Sequence, residues 1–220
     1  MKTFSLRKIL GITREQTPID PVRFGDPLAL QIQWTPATRG GRSFRTHKLV
    51  QIDISRVEFK PAILAKVFFS IFILIGLGLM VAFWATNATA PHSMAETLMP
   101  ILIVGAFLII GIVLFYAGTS PIVFDKGMGY FWKGRKSPQD VVEVASLKKC
   151  VPLDQIHALQ LVSEYVRTGK GSFYSYELNL VMEDARRMTV IDHGDLPKLR
   201  ADAKNLAEFL GRPVWDAINR

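Results

Sequence analysis

Residues 67–86 read VFFSIFILIGLGLMVAFWAT and residues 97–120 read TLMPILIVGAFLIIGIVLFYAGTS, and neither run contains Asp, Glu, Lys, Arg or His. At roughly 1.5 Å per residue, twenty helical residues extend about 30 Å, the thickness of a bilayer's hydrocarbon core. Pro100 falls in the first turn of the second run, where a missing backbone donor costs little. A chain of 220 residues with two such runs keeps too little sequence to wrap both inside a soluble core. The expectation is a transmembrane hairpin: helix 1 over 67–86, an extracytoplasmic connector over 87–96 and helix 2 over 97–120.

The charges around the runs orient the hairpin. Twelve Lys and Arg lie at or before Lys66, none in the connector, and fifteen after Ser120. Lys and Arg are retained on the cytoplasmic side, so both termini are expected there, in a multi-pass protein of the cell's inner (plasma) membrane. The net charge of +8 is uneven: five acidic residues accompany the twelve basic ones before the first run, whereas thirteen accompany the fifteen after the second. The N-terminal excess makes the lipid bilayer, and its anionic headgroups in particular, the simplest partner. No DNA- or RNA-binding motif accompanies the basic character, so nucleic acid is not expected. The runs lack the intramembrane ionisable groups that ion or proton transport uses. Some sixty polar residues precede the first run, so it is expected to direct insertion itself, with no cleavable signal. Cys150 is the single cysteine, which excludes an internal disulfide.

Outside the hairpin the periodicity is mainly that of strands. Residues 1–27 form a basic segment, MKTFSLRKILGI, followed by a loop containing Pro21, Gly25, Asp26 and Pro27. Over residues 28–60, Leu28, Leu30, Ile32 and Trp34 alternate with polar neighbours, Phe44 to Ile54 places Val50, Ile52 and Ile54 on one side, and Val57 to Lys60 is a third short strand. After the hairpin, Ile122 to Phe124 and Tyr130 to Trp132 flank DKGMG, Val151 to Leu153 and His157 to Val166 follow, and Tyr174 to Met182 with Met188 to Asp192 forms a clear β-hairpin. Residues 196–210 form an amphipathic helix with Asp195 as N-cap, Pro197 in its first turn and Gly211 beyond its end.

Strands closed by one C-terminal helix, in the order PIVFDKGMGYFWKG, VPLDQIHALQLV, YELNLVMEDARRMTVIDHGD and then the helix, resemble bacterial membrane proteins that carry a pleckstrin-homology-like (PH-like) cytoplasmic domain beside two transmembrane helices. The resemblance spans residues 121–210. It implies a membrane α+β protein whose cytoplasmic domain, residues 121–220, is a PH-like sheet or barrel closed by the helix. It also implies a membrane-anchored binding or assembly module with no catalytic residues and no cofactor. The strands of residues 28–60 are expected to join the same sheet.

The candidate contact residues are few. Arg39, Arg42 and Arg45 cluster around Gly40 and Gly41, Lys170 sits in the loop RTGKGS, and Lys133 follows Tyr130, Phe131 and Trp132. All suit an anionic lipid headgroup, a membrane-protein partner or a second copy of the chain. An alternative from a different class is a metal-dependent membrane enzyme using Asp192, His193 and Asp195, two carboxylates and an imidazole within four residues. Set against it is the reading of the same segment as strand end, glycine turn and helix cap.

Overall fold

The computed structural model describes residues 19–38, 40–87, 93–141, 143, 147, 149–168 and 171–219. Expectations placed on residues 1–18, on Arg39 and on Lys170 lie outside them. The fold is α+β: two long apolar helices stand on a pair of packed sheets, the first antiparallel and the second mixed. Strands β1 (His47–Gln51) and β2 (Arg56–Pro61) precede α1 (Ile63–Asn87) and α2 (Met94–Gly118). Then follow β3 (Ile122–Asp125), β4 (Tyr130–Lys133), β5 (Cys150–Pro152), β6 (Ile156–Thr168), β7 (Gly171–Met182), β8 (Arg187–His193), α3 (Leu196–Leu210) and β9 (Val214–Asp216).

The first sheet has the order β1-β2-β3-β4-β5 and the second β8-β7-β6-β9. Strand β2 pairs with β3 antiparallel, Phe59 opposite Ile122, so strands from both sides of the helical pair share one sheet. The sheets do not close into a barrel, contrary to one form of the expectation. After β5 the Leu153 amide still donates to the Gly129 carbonyl at 2.8 Å, and a 3-10 turn at Leu153–Gln155 then carries the chain into the other sheet. Strand β9, which follows Pro213 and runs parallel to β6, was not foreseen.

Between the sheets lies one core containing Phe59, Phe124, Phe131, Leu159, Leu161, Leu178 and Leu180, covered by Leu199, Ala203 and Leu206 of α3. Helix α3 has the expected bounds. The Asp195 side chain accepts from the Lys198 amide, and Gly211 ends the helix in the left-handed region at φ 68°.

Two expectations about residues 28–60 are corrected. Residues 28–34 form no strand: Asp20 and Asp26 each cap a proline-started 3-10 turn, Pro21–Phe24 and Pro27–Leu30. Ala29 and Ile32 then pack with Ala158, Val181 and Trp215, while Leu30 is exposed. In β1 the register places Leu49 opposite Phe59 and turns Leu49 toward the core, and Ile52 and Ile54 fall in the following turn, with Ile54 93% exposed.

Residues 31–38 and 40–46 therefore act as a strap across the outer face of the second sheet. That face is polar in sequence yet buried: Gln160, Ser175, Glu177 and Asn179 are each under 5% exposed. Glu177 accepts from the backbone amides of Ala37 and Thr38 at 3.2 and 3.4 Å and from the Thr189 hydroxyl at 2.6 Å. Gln160 donates to the Gln33 carbonyl at 3.0 Å. Glycines permit the strap's close approach: a Cβ at Gly194 would collide with the Ser43 carbonyl, and one at Gly41 with the Ser175 side chain.

The two helices are long and apolar enough to cross a membrane. They pack through small residues: a Cβ at Gly111 would sit 2.7 Å from the Ile73 backbone nitrogen, and one at Gly118 would overlap the Phe69 ring. Gly78 and Gly105 have nothing within 4 Å.

Candidate functional site

A cleft of about 820 Å³ opens where the foot of α2 meets the two sheets. Its walls are the end of α2 and the turn after it (Ala117, Gly118, Ser120, Pro121), the strap (Arg42, Thr46), His47 of β1, Lys133 of β4, Lys149 just before β5, and the outer edge of β8 from Arg187 to Asp192. The edge strand β8 of the second sheet and the first residue of β1, an edge strand of the first sheet, both line the cleft. The strap meets β8 where the Thr46 hydroxyl donates to the Asp192 carbonyl at 3.3 Å and where the Thr38 and Thr189 hydroxyls lie 3.0 Å apart.

Positive charge dominates the lining. Lys133 ends β4, and its amide donates to the Lys149 carbonyl at 3.0 Å, which fixes the two lysines as neighbours. Burial, and secondarily the charge of Lys149, lowers the Lys133 ammonium to a pKa of about 8. No salt bridge or side-chain hydrogen bond engages Lys133 among the described residues. The Arg42 guanidinium lies 5.8 Å from the centroid of the Phe69 ring, at the foot of α1. Arg187 closes the far end of the cleft. Its guanidinium donates to the Thr35 carbonyl and Gln160 Oε1 at 2.8 and 3.0 Å, within the field of Glu177.

Asp192 is the one acidic side chain in the lining. Burial raises its pKa, and the nearby charges of Arg42 and Lys133 oppose the rise. His47 is 8% exposed, its Nδ1 lies 3.1 Å from the Thr46 hydroxyl, and its Nε2 has no hydrogen-bond partner among the described residues. Burial first, and the Lys133 charge second, lower its pKa to about 4, so the ring is neutral at pH 7.

Of the residues singled out in sequence, Arg42 and Lys133 come together in this cleft. Arg45 does not: it donates to the Asp202 carboxylate at 2.6 Å and to the His47 carbonyl at 2.9 Å, tying the strap to α3. Asp192, His193 and Asp195 are separated by local geometry. Asp192 faces the cleft, His193 is fully buried with Nδ1 accepting from the Asp195 amide, and Asp195 caps α3. Among the described residues no group of three or more His, Cys, Asp or Glu is placed to hold a metal ion. Phe131 and Trp132 are core residues, at 0% and 3% exposure. Lys149, Arg187 and His47 were missed. They arrive from separate segments, and the adjacent Lys148 and Lys149 were their one sequence signal.

Chemically, the cleft offers cations, hydroxyls and one carboxylate. Cys150 stands in β5, and burial pushes its thiol pKa up, away from the thiolate that nucleophilic chemistry needs. Compared along its whole length, the chain matches no family model and no curated protein.

Proposed function

We propose that the protein is a membrane-anchored binding module, inserted by α1 and α2, whose sheets lie at the cytoplasmic face of the inner membrane and take anionic lipid headgroups into the cleft. The observation that carries this reading is the position of Arg42, Lys133 and Lys149 at the foot of two exposed apolar helices. Only 11% and 6% of the helices' most apolar windows are buried within the fold, so neither serves as a core helix for the sheets. With the helices in a bilayer, the cleft would sit at headgroup depth, where an anionic surface attracts each nearby Lys or Arg by about 1 kcal/mol. The layout, strands packed under one C-terminal helix beside two apolar helices, supports a PH-like binding domain. Binding without chemistry accords with a cleft that offers cations and no activated nucleophile.

The test is reconstitution of the full chain. In nanodiscs of phosphatidylcholine with increasing phosphatidylglycerol, wild-type protein should be thermally stabilised by the anionic lipid, the effect should shrink as salt rises from 0.05 to 0.5 M, and Arg42→Gln with Lys149→Gln should abolish it. An anionic-lipid response unaltered by the double substitution would remove the cleft from the reading. Recovery of a stoichiometric protein partner, with no lipid response, would favour assembly instead.

A further inference from the structure

The charge balance of the cleft narrows what it is built to hold. Arg187 is compensated by Glu177, behind the β8 edge. That leaves Arg42, Lys133 and Lys149 facing Asp192, two positive charges in excess. Lys133 carries this imbalance most directly, since it is half-buried, stands beside Lys149 and has no ion-pair partner among the described residues. The hydroxyls beside the cations are already spent on backbone carbonyls, Thr46 on Asp192 at 3.3 Å and Ser120 on Tyr116 at 3.1 Å, so an anion here is met chiefly by Arg42, Lys133 and Lys149. A phosphodiester headgroup brings one negative charge and leaves half of the excess uncompensated. A phosphomonoester carries about −1.5 to −2 at pH 7 and presents three acceptor oxygens.

We infer that the cleft is selective for a dianionic phosphomonoester headgroup on a membrane lipid, held chiefly by Lys133 with Arg42 and Lys149. This rests on the reading of the cleft as an anionic-lipid site and adds the class of headgroup. The apolar foot of α1 and α2, with Phe69 beside Arg42, leads directly into the cleft and suits a headgroup whose acyl chains remain alongside the helices. Lys133 also gains a distinctive signature. Because its charge is desolvated and repelled in the empty cleft, neutralising it should leave the unliganded protein as stable or more stable, while weakening ligand binding.

The experiment uses the full chain in mild detergent, with short-chain phosphatidic acid as the phosphomonoester, phosphatidylglycerol as the phosphodiester, phosphatidylcholine as the neutral baseline and glycerol 3-phosphate as the soluble phosphomonoester. Retained lipid is read by native mass spectrometry and stabilisation by thermal melting. Phosphatidic acid should bind about tenfold more tightly than phosphatidylglycerol, from the extra charge matched in a partly desolvated site. Lys133→Gln should reduce the preference to about twofold or less, with an unliganded melting temperature at or above wild type, whereas Lys60→Gln, at an exposed position of β2, should keep the preference. Equal binding of the two anionic lipids, lost together in Lys133→Gln, would overturn the headgroup selectivity and leave the lipid site standing. Failure of both lipids to exceed phosphatidylcholine would overturn the lipid site as well. A lower unliganded melting temperature in Lys133→Gln with the preference intact would make Lys133 a structural residue and overturn its role. Displacement of phosphatidic acid by equimolar glycerol 3-phosphate would overturn the lipid as the source of the phosphomonoester.

Discussion

His47 and His193 are both buried within reach of each other's charge, each with an Nε2 that lacks a hydrogen-bond partner among the described residues, and burial lowers both to a pKa of about 4 against 6.5 for a free imidazole. Above pH 6.5 both rings are neutral whether the chain is folded or not, and their contribution is constant. As pH falls from 6.5 to 4 the unfolded chain binds protons that the fold excludes, so stability is lost across that window, on the order of 3 kcal/mol per ring. Burial is the main cause for both rings; the charges of Lys133 and Arg42 add to it at His47, and that of Arg45 adds to it at His193 against the opposing pull of Asp195. Glu177, Asp192 and Asp202 oppose the loss, since burial raises their pKa values and their protonation relieves a penalty as pH falls. In His193→Asn, which keeps an acceptor near the Asp195 amide, the fall in melting temperature from pH 6.5 to 4.5 should be clearly shallower than in wild type. Identical slopes would locate the acid sensitivity elsewhere.

The packing of α1 against α2 turns on one backbone approach. A Cβ at Gly111 would meet the Ile73 nitrogen and come within 3.1 Å of the Phe72 carbonyl carbon, backbone atoms that no rotamer change can move. Gly111→Ala should therefore cost about 1–3 kcal/mol, whereas Gly105→Ala, with open space around it, should be neutral or gain up to about 1 kcal/mol from helix propensity. Thermal melts of the two variants in one detergent make the comparison. The strap depends on Glu177 in a similar way. Glu177→Ala strips the acceptor from the Ala37 and Thr38 amides and from Thr189, at about 1–3 kcal/mol for donors left unsatisfied. Trypsin should then cut at Arg42 and Arg45 well before it cuts within the sheets, and equal cleavage of wild type and variant would show that the strap is held by other contacts.

For the whole molecule, the helical pair is an insertion between neighbouring strands of one sheet: β2 ends at Pro61, β3 begins at Ile122, and the two are paired. Both ends of the pair are thereby delivered to the same sheet. In a Cys150→Ser background, Ser93→Cys between the helices should react with a membrane-impermeant maleimide on intact cells, and Ser137→Cys after β4 should react only after lysis. Labelling of Ser137→Cys on intact cells would reverse the proposed orientation.

The apolar runs, the β6–β8 meander and α3 with its Asp195 cap and Gly211 stop were legible in the chain because each rests on local periodicity or on a cap a few residues from its partner. Residues 28–34 misled because alternation over so short a stretch suits a strand and a strap equally, and the Asp-Pro pairs before it decide for 3-10 turns. Burial of Glu177 could not be read locally either, since its neutralising amides come from 139 and 140 residues away. The cleft is the clearest case. Arg42, Lys133, Lys149 and Asp192 are unremarkable at their own positions, and their shared field exists only because two sheets fail to close beside the helix foot. Sequence determined what each segment can become, through forces that act over a few residues. Tertiary structure decided which charges face one another, because that depends on contacts between segments far apart in the chain.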